Sequence, residues 1–275
     1  METGLRDQVV FITGASGGIG SGIAKQFAAE GARLVLHYRK GRERITKLQR
    51  QLKEAESLVV RADFSKESDA RRAFSEAIEK FGRIDVLVAN AGAWETRDVM
   101  FHQMKTAQWA ATMDGVLSTT FLAVREFLGQ VKRQRKGNLV LIGSTAAVFG
   151  EAGHADYAAA KAAVAYGLTR SLKNEISLLA PHTKTYCGGR VNCVCPGWTI
   201  VPRLANKLRD RKTILKVTST MALPQLARPE DIANAVVFLA SDVLARHITG
   251  QVLTIAGGME GRCLWEREEI DPSLA

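Results

Sequence analysis

Apolar residues in this chain fall into short continuous runs separated by longer stretches of helical period. The runs are 9–12, 34–38, 58–60, 86–88, 139–142, 190–195 and 252–255. Most are unbroken rather than alternating, which is the pattern of strands buried on both faces. Between them apolar positions recur three or four residues apart. Ile19, Ile23 and Phe27 follow the first run, a helix is predicted over 66–81, and a longer one over 105–135 carries Trp109, Met113, Val116 and Phe121. A further helix runs from about 157 to 179. The last spans 228–241, with Pro229 early and Glu230 and Asp231 in its first turn. Seven strands alternating with helices predict an α/β fold: a doubly wound parallel sheet of about seven strands with helices on both faces. No linker or repeat divides residues 1–275, so one domain is expected. A basic, irregular segment over 200–226 follows a strand end and reads as a lid. Residues 259–275 form a C-terminal tail that is expected either to cover the pocket or to dock on a neighbouring subunit.

Composition adds bounds. The chain has 275 residues, 46% hydrophobic and 24% charged, enough for a sizeable core. No apolar run approaches the roughly 18 residues of a membrane span, so no membrane partner is expected. The first strand starts at Val9, which leaves no room for a signal peptide. Cys187, Cys193, Cys195 and Cys263 suggest no disulfide framework, and the five histidines are too scattered for a metal site. A reducing, cytoplasmic setting fits. The net charge of +10 is concentrated at 39–53, 132–136 and 203–216. No nucleic-acid-binding module accompanies it, so no nucleic-acid partner is expected; a phosphate-rich ligand accounts for part of the charge.

Candidate chemistry sits at strand ends. The first strand runs into Thr13-Gly14-Ala15-Ser16-Gly17-Gly18-Ile19-Gly20 and then a helix, the Rossmann-like context of a dinucleotide site. The glycines allow a tight turn and close approach of a pyrophosphate, and the helix N-terminus supplies N–H donors. An NAD site usually carries an acid after the second strand. Here Tyr38 takes that place and Arg39 and Lys40 follow, an arrangement suited to a 2′-phosphate and hence to NADP(H). Asp63 and Phe64 lie past the third strand; the alternative for Asp63 is a cap for the helix over 66–81, a role that Ser65 could equally serve. Asn90-Ala91-Gly92 closes the fourth strand with small residues that let a flat ring pass. Ser144 ends the fifth strand, and Tyr157 and Lys161 share one helix face. A phenol titrates near 10 and needs help to act near neutrality. A lysine one turn away favours its ionised form, so the phenol can exchange a proton with a carbonyl oxygen that the serine also holds.

Taken in order, these motifs resemble the short-chain dehydrogenase/reductase family in its short, single-domain form, over about residues 6–258. The resemblance implies that Ser144 polarises a substrate carbonyl, that Tyr157 is the general acid or base, and that Lys161 holds the nicotinamide ribose and lowers the tyrosine pKa. It assigns Gly14, Ser16, Gly18, Ile19 and Gly20 to the pyrophosphate, Asp63 and Phe64 to adenine, and Asn90, Ala91 and Gly92 to the adenosine-ribose and nicotinamide side. Pro196, Gly197 and Thr199 would surround the nicotinamide ring. Trp94, Phe149, His154 and Trp198 are candidate substrate contacts. The implied function is reversible NADPH-dependent reduction of a small-molecule carbonyl to an alcohol. Imine or 3-oxoacyl-carrier reduction, or NADP(H) binding without turnover, are the alternatives. A homodimer or homotetramer through helices 105–135 and 155–179 is implied. Three departures stand out. Val116 occupies the place of a relay asparagine, with Asp114 and Ser118 as nearby substitutes and Gly115 permitting a kink. Val201 replaces a threonine whose carboxamide contact Thr199 could take over. Residues 181–189 form a longer approach to the sixth strand.

Overall fold

The computed structural model describes residues 2–92, 94, 97–205, 207–265 and 269. Seven strands form one parallel sheet: β1 (Val9–Ile12), β2 (Arg33–Tyr38), β3 (Ser57–Arg61), β4 (Val86–Ala89), β5 (Asn138–Ile142), β6 (Arg190–Pro196) and β7 (Val252–Ile255). Their order is β3-β2-β1-β4-β5-β6-β7. The chain therefore winds outward in both directions from the β1–β4 pair, and a crevice opens at the carboxyl ends of these strands. The register Val10↔Val86 and Ile12↔Val88 brings the turns after β1 and β4 side by side.

Strand residues alternate between two apolar layers. Val9 and Phe11 pack with α3 (Glu67–Phe81), α5 (Thr119–Gln134) and α8 (Thr169–Leu179). Val10 and Ile12 pack with α1 (Gly18–Ala29), α2 (Arg42–Gln51) and α10 (Pro229–Ala240). Burial on both faces explains why the strands read as continuous apolar runs. Two long helices carry π-helical turns. Asp114–Ser118 joins α4 (Thr106–Met113) to α5, and Ala163–Leu168 joins α7 (Ala155–Ala162) to α8.

Several features differ from the sequence expectation. Residues 211–218, read as irregular, form helix α9 (Arg211–Thr218), because the Asp210 carboxylate caps the amides of Lys212 and Thr213. A short helix, α6 (Thr145–Phe149), follows β5, with Ser144 as its N-cap. The longer approach over 181–189 is anchored by Tyr186, whose hydroxyl accepts from the Gly137 amide. Arg190 then caps the end of α10 by donating to the carbonyls of Leu239, Ala240 and Ser241. The tail folds back on its own chain as far as it is described. Met259 packs with Met221, Ala256 and Phe149, and the Glu260 amide donates to the Thr220 carbonyl.

Candidate active site

The turns after β1 and β4 are locked together. The Asn90 carboxamide donates to the carbonyls of Thr13 and Gly14, and the Thr13 hydroxyl accepts from the amides of Asn90 and Ala91. Gly14 sits at φ +67° with Ala91 and Asn90 about 3.1 Å from where a Cβ would stand, so glycine is required there. Gly20 lies against the Gly14 carbonyl, closer than any side chain permits.

Together these turns line a cleft of about 650 Å³. Gly14, Ser16, Gly18, Ile19, Gly20, Arg39, Lys40, Asp63, Phe64, Asn90, Ala91 and Gly92 all line it. Tyr38 does not; alternation along β2 turns it into the core, 8% exposed. The sequence reading missed His37, Arg44, Gly115 and Thr119, which also line the cleft. His37 is the informative omission. Its Nδ1 accepts from the Gly14 amide at 3.1 Å and its Nε2 donates to the Ala62 carbonyl at 3.0 Å. Its ring stacks on Phe64 with centroids 4.2 Å apart. Burial holds the imidazole neutral, with its pKa lowered to about 4. A polar residue in a fully buried strand was the available signal.

Three cations, Arg39, Lys40 and Arg44, gather at one end of the cleft. Arg39 lies 3.7 Å from the Asp63 carboxylate. That carboxylate also accepts from the Ser65 amide and hydroxyl. Burial alone would raise the Asp63 pKa, but these hydrogen bonds and the Arg39 charge outweigh it and hold it below the usual range. The end of β2 offers no carboxylate to a ribose, and its cations suit a 2′-phosphate.

A second cavity of about 160 Å³ adjoins the first, and Ile19, Asn90, Gly92 and Arg203 line both. Ser144, Tyr157, Lys161, Trp94, Pro196, Gly197, Ile142 and Gly143 complete it. The Ser144 hydroxyl accepts from the Ala146 amide at 3.1 Å. Lys161, 4% exposed, donates to the Ile142 carbonyl at 2.6 Å. Burial brings its ammonium down to about 8. Tyr157 is half-buried by surface, yet removal from water pushes its phenol up to about 12; hydrogen bonding from Ser144 opposes the rise, the Glu151 carboxylate adds to it, and Arg203 opposes it. Lys161 is not among the leading influences on the phenol in this arrangement. Its Nζ is turned to Ile142 and stands 5.9 Å from the ring centroid.

Other expected contacts fall elsewhere. The Thr199 hydroxyl is buried and donates to the Gly197 carbonyl. His154 is 2% exposed and bonds Asp98 at 2.9 Å, standing behind Trp94 with ring centroids 5.1 Å apart. Phe149 belongs to the cluster under the tail. Trp198 and Phe149 line neither cavity. Val201 does line the cleft, pressed onto Gly18. At the departure from the relay asparagine, Val116 is buried and its carbonyl accepts from the Thr120 hydroxyl at 2.7 Å. Ser118 is paired with Asp114 at 3.2 Å, and neither lines the second cavity.

A dinucleotide cleft opening onto a serine–tyrosine–lysine cavity defines the class. A family model described as enoyl-(acyl carrier protein) reductase matches residues 14–260. Among curated proteins, a 3-oxoacyl-[acyl-carrier-protein] reductase of Synechocystis sp. is 32% identical over 94% of this chain and 98% of its own. One of Staphylococcus aureus is 34% identical, covering 90% of this chain and 96% of its own. An acetoacetyl-CoA reductase of Acinetobacter sp. is 33% identical, covering 92% and 97%. The chain belongs to the short-chain dehydrogenase/reductase family. It is an NADP(H)-dependent oxidoreductase acting on a carbonyl.

Proposed function

We propose that this enzyme reduces the 3-oxo group of an acyl thioester with NADPH, Tyr157 supplying the proton. The observation that carries the reading is the convergence of Ser144, Tyr157, Lys161, Pro196 and Gly197 on one small cavity that opens into the dinucleotide cleft. Bound NADPH would lie from the Arg39, Lys40 and Arg44 end toward Gly92, and would supply the hydride. The chain's own groups do the rest. Ser144 and Tyr157 present two hydroxyls to one oxygen, which suits a carbonyl becoming an alkoxide. Tyr157, protonated at neutral pH, is poised to donate. Trp94 walls the cavity beside Tyr157, with ring centroids 6.4 Å apart, and Arg203 lies over its indole at 5.4 Å. The relatives named as 3-oxoacyl and acetoacetyl reductases support the thioester class.

The test is NADPH oxidation with acetoacetyl-CoA, crotonyl-CoA and a simple ketone. Turnover of acetoacetyl-CoA well above the other two is expected. Preference for crotonyl-CoA would replace the reading with enoyl reduction, the activity that the family description names. NADPH binding without turnover on any of them would make it a binding protein.

The reading extends to setting and assembly. Four free thiols suit the cytosol. Trp109 and Phe121, 37% and 50% exposed, flank the π-helical turn between α4 and α5, and Leu178 on α8 is 78% exposed. Such surface supports a homo-oligomer built on these helices.

A further inference from the structure

Arg262 lies two residues past the stretch that the family model matches. It nevertheless reaches the segment carrying the catalytic serine and tyrosine. Its Nη2 donates to the Thr145 hydroxyl at 3.1 Å and to a Glu151 carboxylate oxygen at 3.3 Å. Its Nε approaches the Gly150 carbonyl at 3.4 Å. Thr145 follows Ser144 as the first residue of α6, and Glu151 stands in the loop that leads to α7 and Tyr157. One guanidinium thus grips both ends of α6.

The tail brings it there through a built path. Met259 is 6% exposed beneath Phe149 and Met221, the Glu260 amide donates to the Thr220 carbonyl, and the Gly261 carbonyl accepts from the Thr220 hydroxyl at 2.9 Å. Both Arg262 and Glu151 are about four-fifths buried, at 18% and 20% side-chain exposure. A partly desolvated ion pair in that position is stronger than one on the open surface.

The geometry points to Arg262 as a positioning residue for Ser144 and Tyr157: it clamps α6 to the Tyr157 loop and pairs with the Glu151 carboxylate of that loop. This rests on the reductase reading for its kinetic consequence, though not for the clamp itself. The charged or titratable groups acting on Tyr157 are Glu151, Arg203 and Cys195, with Lys161 over its ring; His154 nearby is turned to Asp98. Glu151 opposes ionisation of the phenol. An uncompensated Glu151 therefore makes the phenolate harder to form, and alcohol oxidation, which needs that phenolate, requires a higher pH.

Arg262→Gln, Arg262→Lys, Glu151→Gln and the double variant Arg262→Gln/Glu151→Gln test this in the full-length chain. Two readouts are used: hydrogen exchange, and kinetics with acetoacetyl-CoA and NADPH or with 3-hydroxybutyryl-CoA and NADP⁺. Arg262→Gln is expected to raise exchange over residues 144–157 and not over 14–20. It is expected to lower kcat roughly tenfold, the scale of a small misplacement of reacting groups, with KM for NADPH unchanged. The pH midpoint of alcohol oxidation should move upward in Arg262→Gln, stay near wild type in Arg262→Lys, and return in the double variant. Unchanged exchange over 144–157, or a pH midpoint that does not move while melting temperature falls, overturns the proposal. If wild type turns over neither thioester, the reductase reading fails instead, and the exchange measurement alone decides the clamp.

Discussion

His37 shows how a single side chain links the sheet to the glycine-rich turn. It must be neutral to accept from the Gly14 amide and donate to Ala62 together. Its pKa is about 4 in the folded chain against an ordinary 6.5. Between those values the unfolded chain takes up a proton that the folded chain does not, so stability falls as pH drops through 6.5 toward 4. His37→Phe keeps an aromatic ring against Phe64 but orphans the Gly14 amide, a cost of about 1–3 kcal/mol at pH 7. Lowering the pH to 4.5 should shift the stability difference toward the variant by roughly 2–3 kcal/mol, enough to close or reverse it. Urea titrations at the two pH values read this, and a constant gap would show that His37 is not buried as a neutral group. At the same scale, Tyr157→Phe should lower kcat by about 10²–10⁴ while NADPH binding, followed by fluorescence, persists. Arg44→Ala should weaken NADPH and leave NADH unchanged if its guanidinium, which lines the cleft with Arg39 and Lys40, meets the 2′-phosphate; equal loss for both would place it elsewhere along the dinucleotide.

Between elements, the glycine-rich turn meets the segment after β6 at Gly18 and Val201. A Cβ on Gly18 would overlap the Val201 side chain, and Pro202 lies 3.4 Å away. Gly18→Ala should therefore push residues 201–203 off the cleft and weaken NADPH by roughly tenfold, in line with a 1–3 kcal/mol overpacking cost. Val201→Ala makes room, so the double variant should recover most of the affinity; titration of all three proteins gives the coupling. This contact was invisible in the sequence, since nothing in spacing tells which loop residue lands on which glycine. The strands and the strand-end motifs were legible because continuous apolar runs and small-residue turns are local signals. The long helices were harder. Trp109, Val116 and Phe121 read as one apolar stripe, yet Val116 is fully buried while the other two are exposed. The π-helical turn at Asp114–Ser118 inserts an extra residue and slips the register of the stripe. Tyr38 and Thr199 were placed in the cofactor site by order along the chain, but pleat and local hydrogen bonding turn each inward. Arg203 and Arg44 reach the cavities from the segment after β6 and from α2, and Arg262 reaches α6 from the tail; only the tertiary structure brings them in.

At the scale of the whole molecule, the question is what covers the outer surface of α4, α5 and α8. Phe101 and Trp109 meet edge to face at the surface, Arg125 lies over the half-exposed Phe121 ring, and Leu178 projects outward. A second exposed apolar set, Phe238, Val243 and Leu253, lies on and beside α10 and β7, at 36%, 55% and 38% exposure. Two such faces on opposite sides of one chain allow two kinds of self-contact, and a tetramer uses both. Phe121→Glu with Leu178→Glu puts charge on the first face without touching either cavity. Leu253→Lys does the same on the second. If both faces are interfaces, light scattering should show the tetramer reduced to dimers by either change and to monomers by the combination. The first pair bears more on catalysis, because α4 holds α7 directly: Thr112 donates to the buried Asp156 carboxylate at 2.6 Å, and Asp156 precedes Tyr157. Loosening that face should lower kcat several-fold, while Leu253→Lys should change the assembly and leave turnover near wild type. A wild-type chain that is monomeric at micromolar concentration would remove the premise and leave both apolar faces to other partners.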